Sequence, residues 1–202
     1  MAFTLTNSQT NEYAKKHRQV LSLANDAVDD YAAGRCCFLN LLMGGFIPCE
    51  QAVEKLLKAE LLLRGETPSK VRALGHDVSQ LATEVESRGV SWLSAHSATC
   101  KRLADFYAER YPDSPKRIFS KGTAEIDQID ALVVSLFLEL SLPEEVKFRN
   151  GLPPHLFPSN SGAASIWPTT PWLLTNNKAL GARLVNLSER SLAVWEHARK
   201  NP

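Results

Sequence analysis

Residues 29–64 read DDYAAGRCCFLNLLMGGFIPCEQAVEKLLKAELLLR, and this stretch decides the fold. It divides into two helical patterns around a short glycine-containing break. In the second half, Val53, Leu56, Leu57, Glu60 and Leu61 recur at helical spacing, four of them apolar. Gln51, Lys55 and Lys58 stand at i, i+4 and i+7, which places them together on a neighbouring face. Glu54 precedes Lys58 by four residues, the favourable orientation for a helical ion pair. Pro48 suits a first turn, where a missing N–H costs nothing, and Arg64-Gly65 suits a helix end.

Upstream, residues 1–10 are polar and are expected to form a loose terminus. Apolar positions from Tyr13 through Val28, Tyr31 and Leu39 predict either one long helix over 11–43 or two with a bend near Gly34. Gly44-Gly45 is expected to end it. Downstream, Glu66–Leu74 reads as a loop marked by Pro68. A third helix opens at Gly75-His76-Asp77, with Val78, Leu81, Ala82 and Val85 facing the core. A fourth spans about Ser91–Arg110, stopped by Pro112. A fifth follows Thr123 as N-cap and is apolar almost all round, the mark of a central or interfacial helix.

Composition then changes. Six of the eleven prolines fall between Pro143 and Pro171, so 143–176 reads as an extended arm rather than a domain. Phe148, Phe157, Trp167 and Trp172 suggest that it docks on a surface. A last amphipathic helix is expected over 177–200. The organisation is therefore a loose start at 1–10, an all-α helical domain at 11–142, the arm at 143–176 and a C-terminal helical segment at 177–202.

Charge excludes several classes. The 23 basic and 22 acidic residues leave a net charge of +1, which offers no global field for nucleic acid or an anionic membrane. The N-terminus lacks a signal-peptide pattern, and no apolar run is long enough to span a bilayer, so the reading is cytoplasmic with no membrane partner. Cys36, Cys37, Cys49 and Cys100 have neither zinc nor redox spacing, and read as structural thiols. No metal site, cofactor or phosphate loop is expected.

Four pieces taken together resemble the HEPN domain family. They are DDYAAGRCCFLNL (Asp29–Leu41), CEQAVEKLLKAELLLRG (Cys49–Gly65), GHDVSQL (Gly75–Leu81) and FYAERYPD (Phe106–Asp113). The resemblance covers about residues 24–140. It implies an antiparallel five-helix bundle that commonly dimerises, here with an arm and an extra C-terminal helix attached. Family members include metal-independent ribonucleases acting as toxins or in defence, partners of small nucleotidyltransferases, and nucleotide- or ligand-binding modules. The expectation is a non-catalytic module that binds a nucleotide, an anionic ligand or a protein, in a bacterial defence or toxin–antitoxin setting. It would form a homodimer, and a nucleotidyltransferase or antitoxin is the implied partner. The alternative is a metal-independent endoribonuclease acting on RNA.

The candidate ligand-binding residues are Gln51, Lys55, Lys58, His76, Asp77 and Arg110. Lysines and a helix N-terminus are the groups that receive anions, although a solvated helix face and a simple N-cap explain the same residues. The ribonuclease branch uses an Arg, four to six residues, then a His, because the His moves a proton while the Arg stabilises phosphorane charge. Arg72 and His76 are too close for that pattern. Arg149 and His155 fit, but Gly151, Pro153 and Pro154 between them break any helix. Arg190 and His197 fit on one helix face and are the catalytic candidates. A dozen arginines and five histidines yield about one such match by chance.

Overall fold

The computed structural model describes residues 7–109, 124–147, 172–173 and 175–180. Eight α-helices run through them: α1 (Asn7–Lys16), α2 (Arg18–Leu39), α3 (Phe46–Leu63), α4 (Pro68–Ala73), α5 (Val78–Ser87), α6 (Ser97–Glu109), α7 (Ala124–Glu139) and α8 (Glu144–Lys147). Two 3-10 turns, Met43–Gly45 and Ser91–His96, precede α3 and α6. The described residues contain no strand, so the fold is all-α as expected.

Helix α3 is the centre. It packs against α2 along most of its length and also against α5, α6 and α7. Leu56, Leu57 and Leu61 have no exposed surface, and each buried leucine stabilises the fold by about 1.5–3 kcal/mol relative to an exposed one. From α2 come Val20, Ala24, Ala27, Val28 and Tyr31, and from α5 come Val78, Leu81 and Val85. Leu132–Phe137 of α7 are buried without interruption, matching its all-round apolar sequence.

The antiparallel α2–α3 hairpin closes unusually tightly at Gly34. A Cβ there would overlap the Cys49 sulfur and stand 3.0 Å from the Gly45 carbonyl oxygen. Gly34 therefore marks a close helix crossing, and the bend that was one of two alternatives there does not occur. α2 runs unbroken through it, and the break falls at His17, between α1 and α2. The α2 terminus also differs from expectation. It stops at Leu39, ahead of Gly44-Gly45, and Leu41 takes the left-handed position (φ 60°). Leu41 N–H donates to the Phe38 carbonyl (3.0 Å) and Leu42 N–H to the Cys37 carbonyl (2.8 Å). This is a Schellman ending with leucine where glycine is usual.

Three further expectations are corrected. Residues 68–73 form α4 rather than loop, because Thr67 accepts from the Lys70 N–H and Pro68 occupies the first turn. The fourth helix begins as a 3-10 turn before becoming α-helical at Ser97. The arm opens with the short helix α8. The Thr123 cap, the 112–113 turn, the arm over 148–171 and the C-terminal helix beyond residue 180 lie outside the described residues.

Glu60 fastens the end of α7 to α3. Its carboxylate, 3% exposed as a residue, accepts from Ser141 N–H (2.9 Å), Ser141 Oγ (2.7 Å) and Arg64 Nε (2.6 Å).

Candidate functional site

Gln51, Glu54, Lys55 and Lys58 project from α3, held by the leucine seam beneath them. Gly75, at φ 71°, turns the chain between α4 and α5 in a conformation that suits glycine, and delivers His76 to this face. Glu54 then becomes the hub. His76 Nδ1 lies 3.0 Å from both of its oxygens, Lys58 Nζ is 2.7 Å from Oε1, and Gln51 Nε2 is 3.3 Å from Oε2. The Glu54 side chain is only 6% exposed, whereas that of His76 is 62% exposed. The Tyr107 ring stacks near the imidazole, with centroids 6.1 Å apart.

The structure thus brings together Gln51, Lys58 and His76. It does not add Lys55, which pairs instead with Asp30 on α2. Asp77 caps α5, accepting from the Gln80 N–H at 3.0 Å. Arg110, Arg190 and His197 lie outside the described residues.

Both lysines beside the cluster are paired, and Gln51 Nε2 also donates to the buried Glu50 carboxylate at 2.7 Å. Glu54 matches Lys58 and Asp30 matches Lys55, so neither lysine presents an uncompensated charge to an anion.

Among the described residues no group of three or more His, Cys, Asp or Glu could hold a metal ion. No described helix is long and apolar enough to cross a membrane.

Residues 46–130 match the family model of the HEPN domain. The chain carries a HEPN domain. No curated protein and no solved structure matches the chain. The HEPN match opens with the first residue of α3 and closes at Asp130 in α7, so it contains the whole Glu54 cluster.

Two features at the edges of the HEPN match went unread in the sequence. The first is the α2–α3 tip. Leu41 is 86% exposed, Leu42 57% and Ile47 41%, and no charged residue occurs from Cys36 to Cys49.

The second is Arg35, which has no exposed surface. Its Nη1 pairs with Asp130 Oδ2, its Nε donates to the Trp172 carbonyl (2.7 Å) and its Nη2 donates to the Thr175 carbonyl. Tyr31 Oη donates to Asp130 Oδ1 (2.6 Å) and accepts from Asn177 Nδ2 (2.9 Å). Burial, then the Asp130 charge, holds the Tyr31 phenol well above its ordinary range, so it remains a donor. Burial works against the Arg35 charge, but the Asp130 hydrogen bond and the neighbouring groups more than offset it. Arginine inside an otherwise apolar helical run, with an aspartate at the start of a later one, was the available signal. Only the fold shows that they meet.

Proposed function

We propose that this HEPN chain is a non-catalytic binding module that works through protein contact, pairing with a second copy across the α2–α3 tip. One observation carries the reading: Leu41 occupies a left-handed helix-end position while exposing its side chain to solvent. A left-handed leucine costs about 1–2 kcal/mol, which glycine would avoid. Strain of this kind is retained where the side chain is needed outside the fold.

A second copy is the occupant that fits. In a two-fold contact the same patch meets itself, so a charged tip would repel its mate. Here the 36–49 stretch is charge-free and three large apolar side chains crown it. The paired charges around Glu54 speak against an anionic ligand on that face, and the nucleotide reading has no comparable support. Light scattering should report a smaller assembly for L41D/L42D than for the wild type, at unchanged helicity. Equal masses for the two proteins defeat the proposal.

A further inference from the structure

Arg35 holds residues 172–180 by features that almost any chain possesses. Two of its donors go to main-chain carbonyls, those of Trp172 and Thr175. The side-chain requirements are few. Leu173 is completely buried and Leu180 nearly so. Asn177 bridges Tyr31 Oη and the Leu173 carbonyl through Nδ2, while its Oδ1 accepts from the Leu180 N–H (2.9 Å). Lys178 Nζ reaches Asp127 Oδ2 on α7 at 2.7 Å. Asn176, at φ 54°, makes the turn, and asparagine tolerates that conformation.

Backbone carbonyls met by fixed donors, together with two buried leucines, describe a site that reads a peptide. Its receptor half consists of Tyr31 and Arg35 on α2 with Asp127 and Asp130 on α7. Its occupant is a separate stretch of chain, connected to α8 only through residues 148–171. That connection is 24 residues long and contains five prolines. At full extension it could span about 80 Å, far enough to reach a neighbouring molecule.

We propose that the α2–α7 groove is a peptide-binding site whose ligand is residues 172–180 of a second copy, exchanged reciprocally between two chains. Every contact made within one chain is available unchanged between two, so exchange costs only the rearrangement of the connection. The groove uses residues other than those at the α2–α3 tip, and the proposal stands independently of pairing there.

The Lys178–Asp127 ion pair provides the readout, because a carbodiimide joins a lysine to a carboxylate in direct contact. Equal amounts of full-length chain with natural and heavy nitrogen would be mixed, incubated, cross-linked and digested. Exchange predicts Lys178–Asp127 linked peptides in which one half is heavy and the other light, approaching about half of that species for random two-fold pairing. The Lys58–Glu54 link, internal to one bundle, should stay same-label throughout. Purely same-label Lys178–Asp127 peptides overturn the proposal, as does equal label mixing at Lys58–Glu54. A Leu173→Asp chain of normal helicity should lose the Lys178–Asp127 link in both forms, and persistence of the mixed link there also overturns it. Repeating the mixture with L41D/L42D separates the two interfaces: mixed-label Lys178–Asp127 peptides should persist in that variant although its tip no longer pairs.

Discussion

Gly34 of α2 lies against Cys49 of α3 so closely that a methyl group on Gly34 would overlap the Cys49 sulfur. Backbone stands behind the sulfur, with the Gly45 carbonyl oxygen at 3.0 Å and the Cys49 nitrogen at 3.1 Å from the same point. Gly34→Ala should therefore force the two helices apart and destabilise the fold by about 1–3 kcal/mol. Nothing lies within 4 Å of the corresponding point on Gly44, so Gly44→Ala should leave the urea midpoint nearly unchanged. Equal midpoints for the two variants would contradict the close crossing.

Arg35 and Asp130 form a buried pair, and removing one partner strands the other. Asp130→Leu should cost about 3–5 kcal/mol, because an unpaired guanidinium remains in the interior. Arg35→Met combined with Asp130→Leu should recover a large part of that loss, since no buried charge is left over. Denaturant titrations of both single variants and the double variant form a cycle. Simple additivity would show that the two side chains do not depend on each other.

Leu41→Gly should act on stability and pairing in opposite directions. Relief of the left-handed strain favours the folded chain by about 1–2 kcal/mol, and the added freedom of glycine when unfolded returns about 0.5–1 kcal/mol. The net gain is small and positive, because Leu41 is 86% exposed and loses little burial. Dimer dissociation should nonetheless become easier in that variant. A variant that is both less stable and more tightly paired would refute the role given to this leucine.

The buried cysteines set an alkaline limit. Burial, with a smaller effect from Glu86, pushes the Cys100 thiol up to about 12, and burial raises Cys49 further. Between the ordinary thiol range near 8.5 and about 12, the unfolded chain releases a proton that folded Cys100 keeps. The stabilisation is complete below the unfolded value and is lost as pH rises towards the folded one. Midpoints should fall across that window, less steeply in Cys100→Ala than in the wild type. At pH 8 a thiol reagent should modify Cys36 and Cys37, which are half-buried, well before Cys49 and Cys100.

The non-catalytic reading has a direct check. Purified chain should leave RNA intact in EDTA. Cleavage that disappears with His197→Ala would replace the binding reading with the ribonuclease one.

Much of the bundle was legible because local pattern and burial agree there. The leucine seam of α3, the Asp77 cap and the Glu54–Lys58 pair all follow from spacing within one helix. What escaped depends on contacts between distant segments. Gly34 looks like a helix weakener in sequence, and only Cys49 opposite explains it. Arg35 looks like a surface charge until Asp130, 95 residues later, and the Trp172 and Thr175 carbonyls close around it. Lys55 belongs by spacing with Gln51 and Lys58, yet Asp30 on the neighbouring helix draws it away. The helix end at Leu39 was hidden because leucine takes the place in which glycine would have announced it.

Glu60 has a consequence beyond joining α3 to α7. By gripping Ser141 it fixes the turn from α7 into α8, the last helix before residue 148, and Arg35 fixes the point where the chain from Trp172 onward is received. Whether donor and receiver belong to one molecule or two, the span between them is anchored at both ends by side chains of neighbouring helices. Its length is then the adjustable quantity. Closure cost grows slowly with length, by about 0.6 kcal/mol per doubling, so insertions within 148–171 should be absorbed far more readily than any change at either anchor.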